Sequence, residues 1–131
     1  TSILENIIFK EKIDANEKLI LDSALEKSNL NNVLKNFPDG INTMVGERGS
    51  KISGGQQQRI GLARALFRQP EVLVMDESFN AIDQLTSNKI ISTVKNMKDI
   101  TRIIVSHNIE ILEQCDETYK LSNGTIQKIN L

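Results

Sequence analysis

The sequence predicts an α/β protein in which a helical first half is followed by part of a parallel sheet. Helical periodicity of apolar residues dominates up to about Arg68. Beyond Pro70, two short β-branched runs, at 72–75 and 102–106, alternate with helical segments. Strands that alternate with helices are typical of parallel sheets, whose ligands bind at the carboxyl ends of the strands. We therefore expect functional side chains where these two runs end.

The helices of the first half are indicated by capping residues and by apolar faces. Residues 2–8 form a short amphipathic turn in which Ser2 and Glu5 have the spacing of a capping box. Apolar residues recur with helical spacing over 16–29, and a shorter helical segment is expected at 31–36. These elements predict a helical layer that precedes the sheet.

A longer helix follows the turn Ser53-Gly54-Gly55 and is predicted to end at about Phe67 or Arg68. Glycines let a backbone approach a ligand closely, and free N–H groups at a helix N-terminus favour anions. The turn therefore predicts a phosphate-binding site. The alternative is that Ser53 simply caps the helix, and the turn taken alone favours that alternative.

The apolar run at 72–75 is predicted to be a strand buried on both faces, and it ends in Asp76 and Glu77. A carboxylate at Asp76 can hold Mg²⁺ beside the phosphates of a nucleotide. Glu77 can orient and partly deprotonate a water molecule for attack on the terminal phosphate. Both acids could instead cap the following turn. Their place at a sheet edge, after an apolar strand, favours the functional interpretation.

The only histidine, His107, follows the strand predicted at 102–106. It lies one strand over from Asp76 and Glu77, where it can donate to a terminal phosphate. The usual alternative is a structural histidine at a strand end. Asp83 is predicted to cap the next helix, and capping does not exclude a second role.

Two further features are expected to lie outside the site. Arg59 and Arg64 fall away from the apolar stripe of the longer helix, so surface solvation explains them adequately. Near the end of the chain, Ser122-Asn123-Gly124 separates two alternating segments and predicts a β-hairpin.

Composition limits the class of protein. The chain has 131 residues, which suits one small domain or part of a larger one, and its formal net charge of -1 gives no electrostatic case for nucleic acid. One cysteine excludes a disulfide within the chain and suits a reducing compartment. No signal peptide and no apolar run of about 18 residues is present, so no transmembrane helix is expected. The chain begins at Thr1 without a methionine, as a fragment would.

These motifs together resemble the ATP-binding-cassette (ABC) ATPases. Ser53-Gly54-Gly55-Gln56-Gln57 is similar to the family signature, with Ile52 where Leu is more usual. Residues 58–66 match the helix that follows the signature, and residues 72–77 resemble the Walker B strand with its catalytic glutamate. Residues 78–83 stand where the D-loop stands, and His107 matches the switch histidine. Several motifs in the family's order and spacing are stronger evidence than any one of them.

The resemblance implies a truncated P-loop NTPase domain. Residues 1–68 would form the helical subdomain with the signature motif, and residues 69–131 a partial RecA-like core with Walker B, D-loop, switch histidine and hairpin. In the family, ATP with Mg²⁺ is held between two cassettes, the signature turn of one facing the Walker A loop of the other. The implied site residues are Glu77 and His107 for catalysis, Asp76 for the metal, and Ser53, Gly54, Gly55, Gln56 and Asp83 for the nucleotide.

The resemblance also indicates an exporter. Residues 1–7, 37–43 and 45–49 are similar to exporter segments, and in exporters the Glu47-Arg48 region lies against the coupling helices of the membrane domain. The implied partners are that membrane domain and a second nucleotide-binding domain, in a homodimer or a heterodimer. The implied location is the cytoplasmic face of the membrane, the inner membrane in a bacterium.

Departures from the family pattern limit what the chain can do alone. No GxxxxGK[ST] motif occurs in the sequence, and the Q-loop glutamine and adenine-stacking aromatic would lie upstream. The D-loop carries Phe79-Asn80 where small polar residues are typical. We therefore expect the chain alone neither to bind nor to hydrolyse ATP appreciably. Without neighbouring strands, the strand at 72–75 is expected to expose apolar surface and to favour self-association, rearranged pairing or partial order.

Three functions follow from these observations. The first is the C-terminal part of an exporter's ATP-binding domain, coupling ATP hydrolysis to transport. The second is a non-catalytic interaction module that docks a membrane domain and contributes only its signature turn. The third is a DNA-maintenance ATPase with the same signature, which the near-neutral charge and the exporter-like stretch at 45–49 disfavour. A Walker A lysine upstream would favour the first function over the second. The transported substrate is not encoded in these residues.

Overall fold

A computed structural model describes residues 1–46 and 51–131 of the chain. Within these residues the secondary structure consists of short strands and mostly short helices in the predicted order. The helices are α1 (Ile3–Ile8), α2 (Ala15–Lys27), α3 (Asn31–Leu34), α4 (Gly54–Phe67), α5 (Gln84–Lys95) and α6 (Ile109–Leu112), with a 3₁₀ turn at Gly40–Asn42. The strands are β1 (Val72–Asp76), β2 (Thr101–Val105), β3 (Thr118–Ser122) and β4 (Thr125–Ile129).

The start of α1 confirms the predicted capping box, and α2 begins with a second one that the sequence analysis does not predict. Before α1, Ser2 Oγ accepts from the Glu5 N–H, and the Glu5 carboxylate accepts from the Ser2 N–H at 2.7 Å. Asp14 and Glu17 form the same reciprocal pair at the start of α2. Each pair satisfies N–H groups that have no partner within the helix, so these short helices begin at defined residues.

Helix α4 is the centre of the helical layer, because α1 and α2 both pack against it. Its buried face includes Ile60, Ala63 and Phe67, as the apolar stripe predicts. From α1, Ile3 and Ile7 are completely buried in the same core. Burial of side chains of this size contributes about 1.5–3 kcal/mol each, so packing rather than helix propensity stabilises these helices.

Two arginines of α4 and its cap join the helix to the end of α1. Arg64 donates through Nε to the Asn6 carbonyl at 2.7 Å, and Arg68 donates to the Ile8 carbonyl at 3.4 Å. Both guanidinium groups also lie over the Phe9 ring, 5.0 and 5.8 Å from its centroid. The expectation that Arg64 is merely solvated is wrong, because the last carbonyls of α1 need donors and this side chain provides one.

The strands form two separate pairs within the described residues. β1 and β2 are parallel and in register, with Leu73 opposite Arg102 and Asp76 opposite Val105. β3 and β4 form the predicted antiparallel hairpin. At its tip Asn123 and Gly124 have φ values of 50° and 75°, the left-handed conformations that a two-residue type I′ turn requires.

The parallel pair is buried on one face only. Leu73 and Met75 are 3% and 2% exposed, whereas Val72 and Val74 are 51% and 60% exposed. The prediction that β1 is buried on both faces is therefore wrong. No described residue covers the face that carries Val72 and Val74. The expectation that the strand exposes apolar surface is confirmed. We call the uncovered side the bare face; it consists of Val72, Val74, Ile103 and Val105.

Among the described residues, none of the helices combines the length and apolar character that a membrane span needs.

Candidate functional site

The carboxyl edge of the parallel pair collects the acids and the histidine that the sequence singled out. Asp76 is the last residue of β1, and Glu77 follows it directly. His107 comes two residues after the end of β2. Because β1 and β2 are adjacent and parallel, the three side chains lie at one edge, as the alternation of strands and helices predicts.

Glu77 is the most constrained residue at this edge. Its N–H donates to the Val105 carbonyl at 3.0 Å, and its φ is 48°, a left-handed conformation that is uncommon for a residue with a side chain. Its Oε1 lies 3.2 Å from His107 Nε2. Its Oε2 is buried and has no hydrogen-bond partner among the described residues.

This arrangement suits proton transfer at an exposed edge. The unpartnered Oε2 of Glu77 is an acceptor with free lone pairs, and buried polar atoms in that state require an explanation. The His107 side chain is 96% exposed, so its imidazole can reach a ligand outside the edge. The geometry fits a carboxylate that accepts a proton beside an imidazole that can donate one. Catalytic roles for both residues stay predictions.

The signature turn lies at the start of α4. Ser53 Oγ accepts from the Gln56 N–H at 3.3 Å, and the Gln56 side chain accepts from the Ser53 N–H at 2.8 Å. Capping by Ser53 is thus confirmed. No described residue accepts a hydrogen bond from the N–H of Gly54 or Gly55, and free donors at a helix N-terminus favour anions. Phosphate binding by the turn stays a prediction.

Packing within the chain also requires a glycine at the second position of the turn, Gly55. A Cβ at Gly55 would lie 2.4 Å from the Ala81 carbonyl oxygen, far inside any tolerated contact. A Cβ at Gly54 would lie 3.2 Å from the Ala81 Cβ. The glycines were predicted from the needs of a ligand, but the structure shows that the loop at residues 78–83 packs directly on the turn.

Two polar side chains of α4 reach the same loop. Gln58 donates to the Glu77 carbonyl at 3.2 Å and accepts from the Ala81 N–H at 3.1 Å. The pKa of Arg59 is lowered by burial, and the negative charge of Asp83 opposes that shift. Arg59 is therefore half-buried beside the loop, and the expectation that it is only solvated is wrong.

Asp83 caps α5 as predicted. Its Oδ1 accepts from the Thr86 N–H at 2.9 Å. That backbone hydrogen bond is the largest cause of a pKa lowered below its ordinary value, and Arg59 lowers it further. The ionised carboxylate thus stabilises the helix start. A contact between Asp83 and a nucleotide stays a prediction.

The metal prediction rests on Asp76 alone. Among the described residues there is no group of three or more acidic, histidine or cysteine side chains that could hold a metal ion. A lone exposed carboxylate fits Mg²⁺ that is held mainly by phosphates and water, which is how this ion usually binds nucleotides. It doesn't fit an ion held by the protein alone.

Sequence reasoning missed Gln58 and Ala81. A signal for Gln58 was available, because it lies on α4 between Gly55 and Leu62, which are both buried. A polar side chain on this buried face of α4 needs a hydrogen-bond partner. Ala81 had no comparable signal, since its contact depends on a glycine in a different element.

The sequence was compared with known protein families and with individual relatives. The sequence profile of the family described as "ABC transporter" matches residues 1–80. The chain belongs to the ABC transporter family. The match includes the signature turn and the edge residues Asp76 and Glu77.

Individual relatives agree with the profile. The chain is 35% identical over 127 residues to a putative export ATP-binding/permease protein of Rickettsia bellii, covering 96% of this chain and 22% of that protein. It is 37% identical over 129 residues to multidrug resistance protein 1 of Entamoeba histolytica, covering 95% of this chain and 10% of that protein. The chain therefore spans only a small part of the length of such relatives.

A solved structure shows the same fold. A bacterial Atm1-family ABC exporter with ATP bound superposes with a TM-score of 0.83 and 31% sequence identity, over 94% of this chain and 21% of that one. The fold is therefore part of an exporter-type ATP-binding domain, which is a P-loop NTPase fold. Residues Glu47 and Arg48, predicted to face a membrane domain, lie outside the described residues.

Proposed function

We propose that this chain is the C-terminal part of the ATP-binding domain of an ABC exporter, where it couples ATP binding and hydrolysis to transport. The observation that carries the proposal is Glu77, whose carboxylate lies 3.2 Å from His107 and keeps a buried, unpartnered oxygen. Within the domain, residues 1–68 act as the helical subdomain and residues 69–131 as part of the RecA-like core.

The residues at the sheet edge serve the nucleotide held by their own domain. ATP supplies the phosphoanhydride bond that is cleaved, and Asp76 helps to hold its Mg²⁺. Glu77 accepts a proton from the attacking water through its carboxylate, since its side chain is 30% exposed at this edge. His107, largely exposed, donates toward the terminal phosphate.

The signature turn serves the other nucleotide of a dimer. Gly54 and Gly55 direct N–H groups out of the start of α4, and Ser53 and Gln56 fix the turn through their reciprocal hydrogen bonds. These donors stabilise the terminal phosphate of a nucleotide held by the partner domain. Asp83 lies in the loop that connects the two sets of residues and approaches the same dimer interface.

The partners follow from the same assignment. A second nucleotide-binding domain, identical or different, completes each site. A membrane domain contacts Glu47 and Arg48 through its coupling helices, so the domain works at the cytoplasmic face of a membrane, the inner membrane in a bacterium. The transported substrate is selected by that membrane domain.

We infer that the 131-residue chain alone neither binds nor hydrolyses ATP appreciably. Backbone N–H groups and a lysine of the Walker A loop supply most of the phosphate affinity in such proteins, and no GxxxxGK[ST] motif occurs here. Mg²⁺-dependent turnover by the purified chain would contradict this inference.

The test of the proposed function uses the full-length protein of which this chain is a part. Glu77→Gln should reduce ATP turnover by roughly 10²–10⁴-fold, the usual contribution of a general base, while ATP-dependent dimerisation of the domains is retained. Glu113→Gln, at an exposed position after α6, is the matched control and should turn over normally. Unchanged turnover with Glu77→Gln would remove Glu77 from its role.

A second function is suggested by one observation, that no GxxxxGK[ST] motif occurs within these 131 residues. Without Walker A, the chain would be a non-catalytic module that docks a membrane domain and offers only its signature turn. A Walker A lysine in the full-length protein would exclude this function. The DNA-maintenance alternative receives no support from the net charge of -1.

A further inference from the structure

Gln58 of α4 forms hydrogen bonds with the main chain of the loop after β1. The Gln58 amide donates from Nε2 to the Glu77 carbonyl at 3.2 Å and accepts through Oε1 from the Ala81 N–H at 3.1 Å. Only one orientation of the amide satisfies both partners, because the flipped amide would place its oxygen against a carbonyl and its NH₂ against an N–H. Gln58 is therefore bound at both ends to the main chain of the loop.

The loop needs such support because of the backbone of Glu77. Its φ of 48° is a left-handed conformation that a residue with a Cβ adopts only when its surroundings hold it there. The Val105 carbonyl fixes its N–H, and its own carbonyl accepts from both Gln58 and the Asn80 N–H. Gln58 is the only one of these three partners that comes from the helix of the signature turn.

Close packing makes this connection short. The Gly55 main chain lies so near the Ala81 carbonyl that no side chain fits between them. Gly55 is one residue before Gln56 of the signature turn, and Gln58 follows one helical turn later on the same side of α4. A displacement of the signature turn is therefore passed directly to the loop that carries the Glu77 backbone.

We propose that Gln58 is a positioning residue that sets the Glu77 backbone according to the position of the signature turn. The proposal rests on the proposed function: the signature turn faces the partner's nucleotide, and Glu77 serves the nucleotide of its own domain. Nucleotide binding at one composite site then changes the position of Glu77 at the other site, and the Gln58 side-chain amide couples the two sites. Gln58 touches neither nucleotide and acts only through the main chain of residues 77–81.

The experiment compares two substitutions in the full-length protein with Mg-ATP. Gln58→Met keeps the length of the side chain and removes both hydrogen bonds. It should lower kcat by roughly tenfold to a hundredfold, since a misplacement of about 1 Å can cost that much, and KM should stay within about twofold. Gln127→Met, at an exposed position of β4, is the control and should leave both constants unchanged.

Gln58→Glu separates a positioning role from a merely structural one. The introduced carboxylate still accepts from the Ala81 N–H but cannot donate to the Glu77 carbonyl. Once protonated it can donate again. The kcat of this variant, divided by that of the unsubstituted protein, should therefore rise as the pH falls from about 7 toward 5. A ratio that is constant with pH would overturn the proposal, as would an unchanged kcat for Gln58→Met.

Hydrogen exchange keeps this test independent of the proposed function. In the full-length protein, Gln58→Met should speed amide exchange in a peptide covering residues 77–83 by at least about tenfold, while the hairpin peptide at 118–129 is unaffected. If the unsubstituted protein shows no ATP turnover, the proposed function fails, but this exchange still tests Gln58. Unchanged exchange at 77–83 would overturn the proposal.

Discussion

The helical half of the molecule, residues 1–68, and the sheet half, residues 69–131, differ in how well they bury their apolar residues. In the helical half, Ile3, Ile7 and Leu30 are completely buried. In the sheet half, Val74 and Ile103 are at least half exposed although they lie in paired strands. The helical half thus has a nearly closed core, whereas the sheet half has a core on one side only.

The difference lies in the bare face, which the described residues leave uncovered. Strands of parallel sheets are normally covered on both faces, and β1 and β2 are covered on one. A groove of about 520 Å³ also opens between β2, α5 and the hairpin. The sheet half therefore leaves more of its strand residues open to contact with further protein. The next two predictions test this contrast, and a third concerns the helix caps in both halves.

The largest effect is expected from core truncation in the helical half. Ile7→Ala should lower the free energy of unfolding by about 2–5 kcal/mol, since it leaves a cavity beneath α4. Val74→Ala, on the bare face, should cost less than about 1 kcal/mol. Urea unfolding of the 131-residue chain measures both. If the two substitutions lowered the free energy of unfolding equally, the two halves would not differ in how well they bury these residues.

A smaller effect is expected from charged substitutions on the bare face, which should weaken self-association of the chain. Val74→Lys with Ile103→Lys should weaken self-association of the chain by roughly tenfold or more, because two charges would be desolvated at any apolar contact. Leu85→Lys is the matched control, since Leu85 is 84% exposed on α5 and away from the bare face. Sedimentation velocity over a concentration series measures the change. Association that is equally weakened by Leu85→Lys would place the contact elsewhere.

The smallest effect is expected from pH. The pKa of Glu5 is lowered, first by the hydrogen bond from the Ser2 N–H, and the pKa of Asp83 is lowered, first by that from the Thr86 N–H. A carboxyl whose pKa is lower in the folded state stabilises the fold above its unfolded pKa, and this stabilisation is lost as the pH falls through the folded pKa. Stability should therefore decline between about pH 5 and pH 3.

A substitution identifies the groups responsible. Glu5→Gln keeps an acceptor for the Ser2 N–H but removes the titration, so its urea midpoint should fall less steeply with acid than that of the unsubstituted chain. Glu11→Gln, in the exposed segment before α2, serves as the control and should leave the slope unchanged. If the urea midpoint changed equally with pH in all three proteins, the loss of stability in acid would not come from Glu5 at the start of α1.

Local patterns predicted most of the elements and the composition of the site. Reciprocal capping at Ser2 and Ser53 is encoded within three residues, so the helix starts could be predicted. The shared edge of Glu77 and His107 follows from strand alternation. What the sequence does not encode locally is contact at long range. Arg64 reaches a carbonyl 58 residues away, and the bare face follows from how the described elements pack on β1 and β2 from one side only.

The contact between Gly55 and Ala81 has a consequence for recombination between related transporters. A crossover at residue 68, the apparent seam of the fold, would take α4 from one parent and the loop at 78–83 from another. If the two parents position this loop differently, the main chain at Ala81 can collide with the signature turn, and no rotamer change can relieve such a contact. Functional chimaeras should therefore inherit residues 53–83 as one block from one parent.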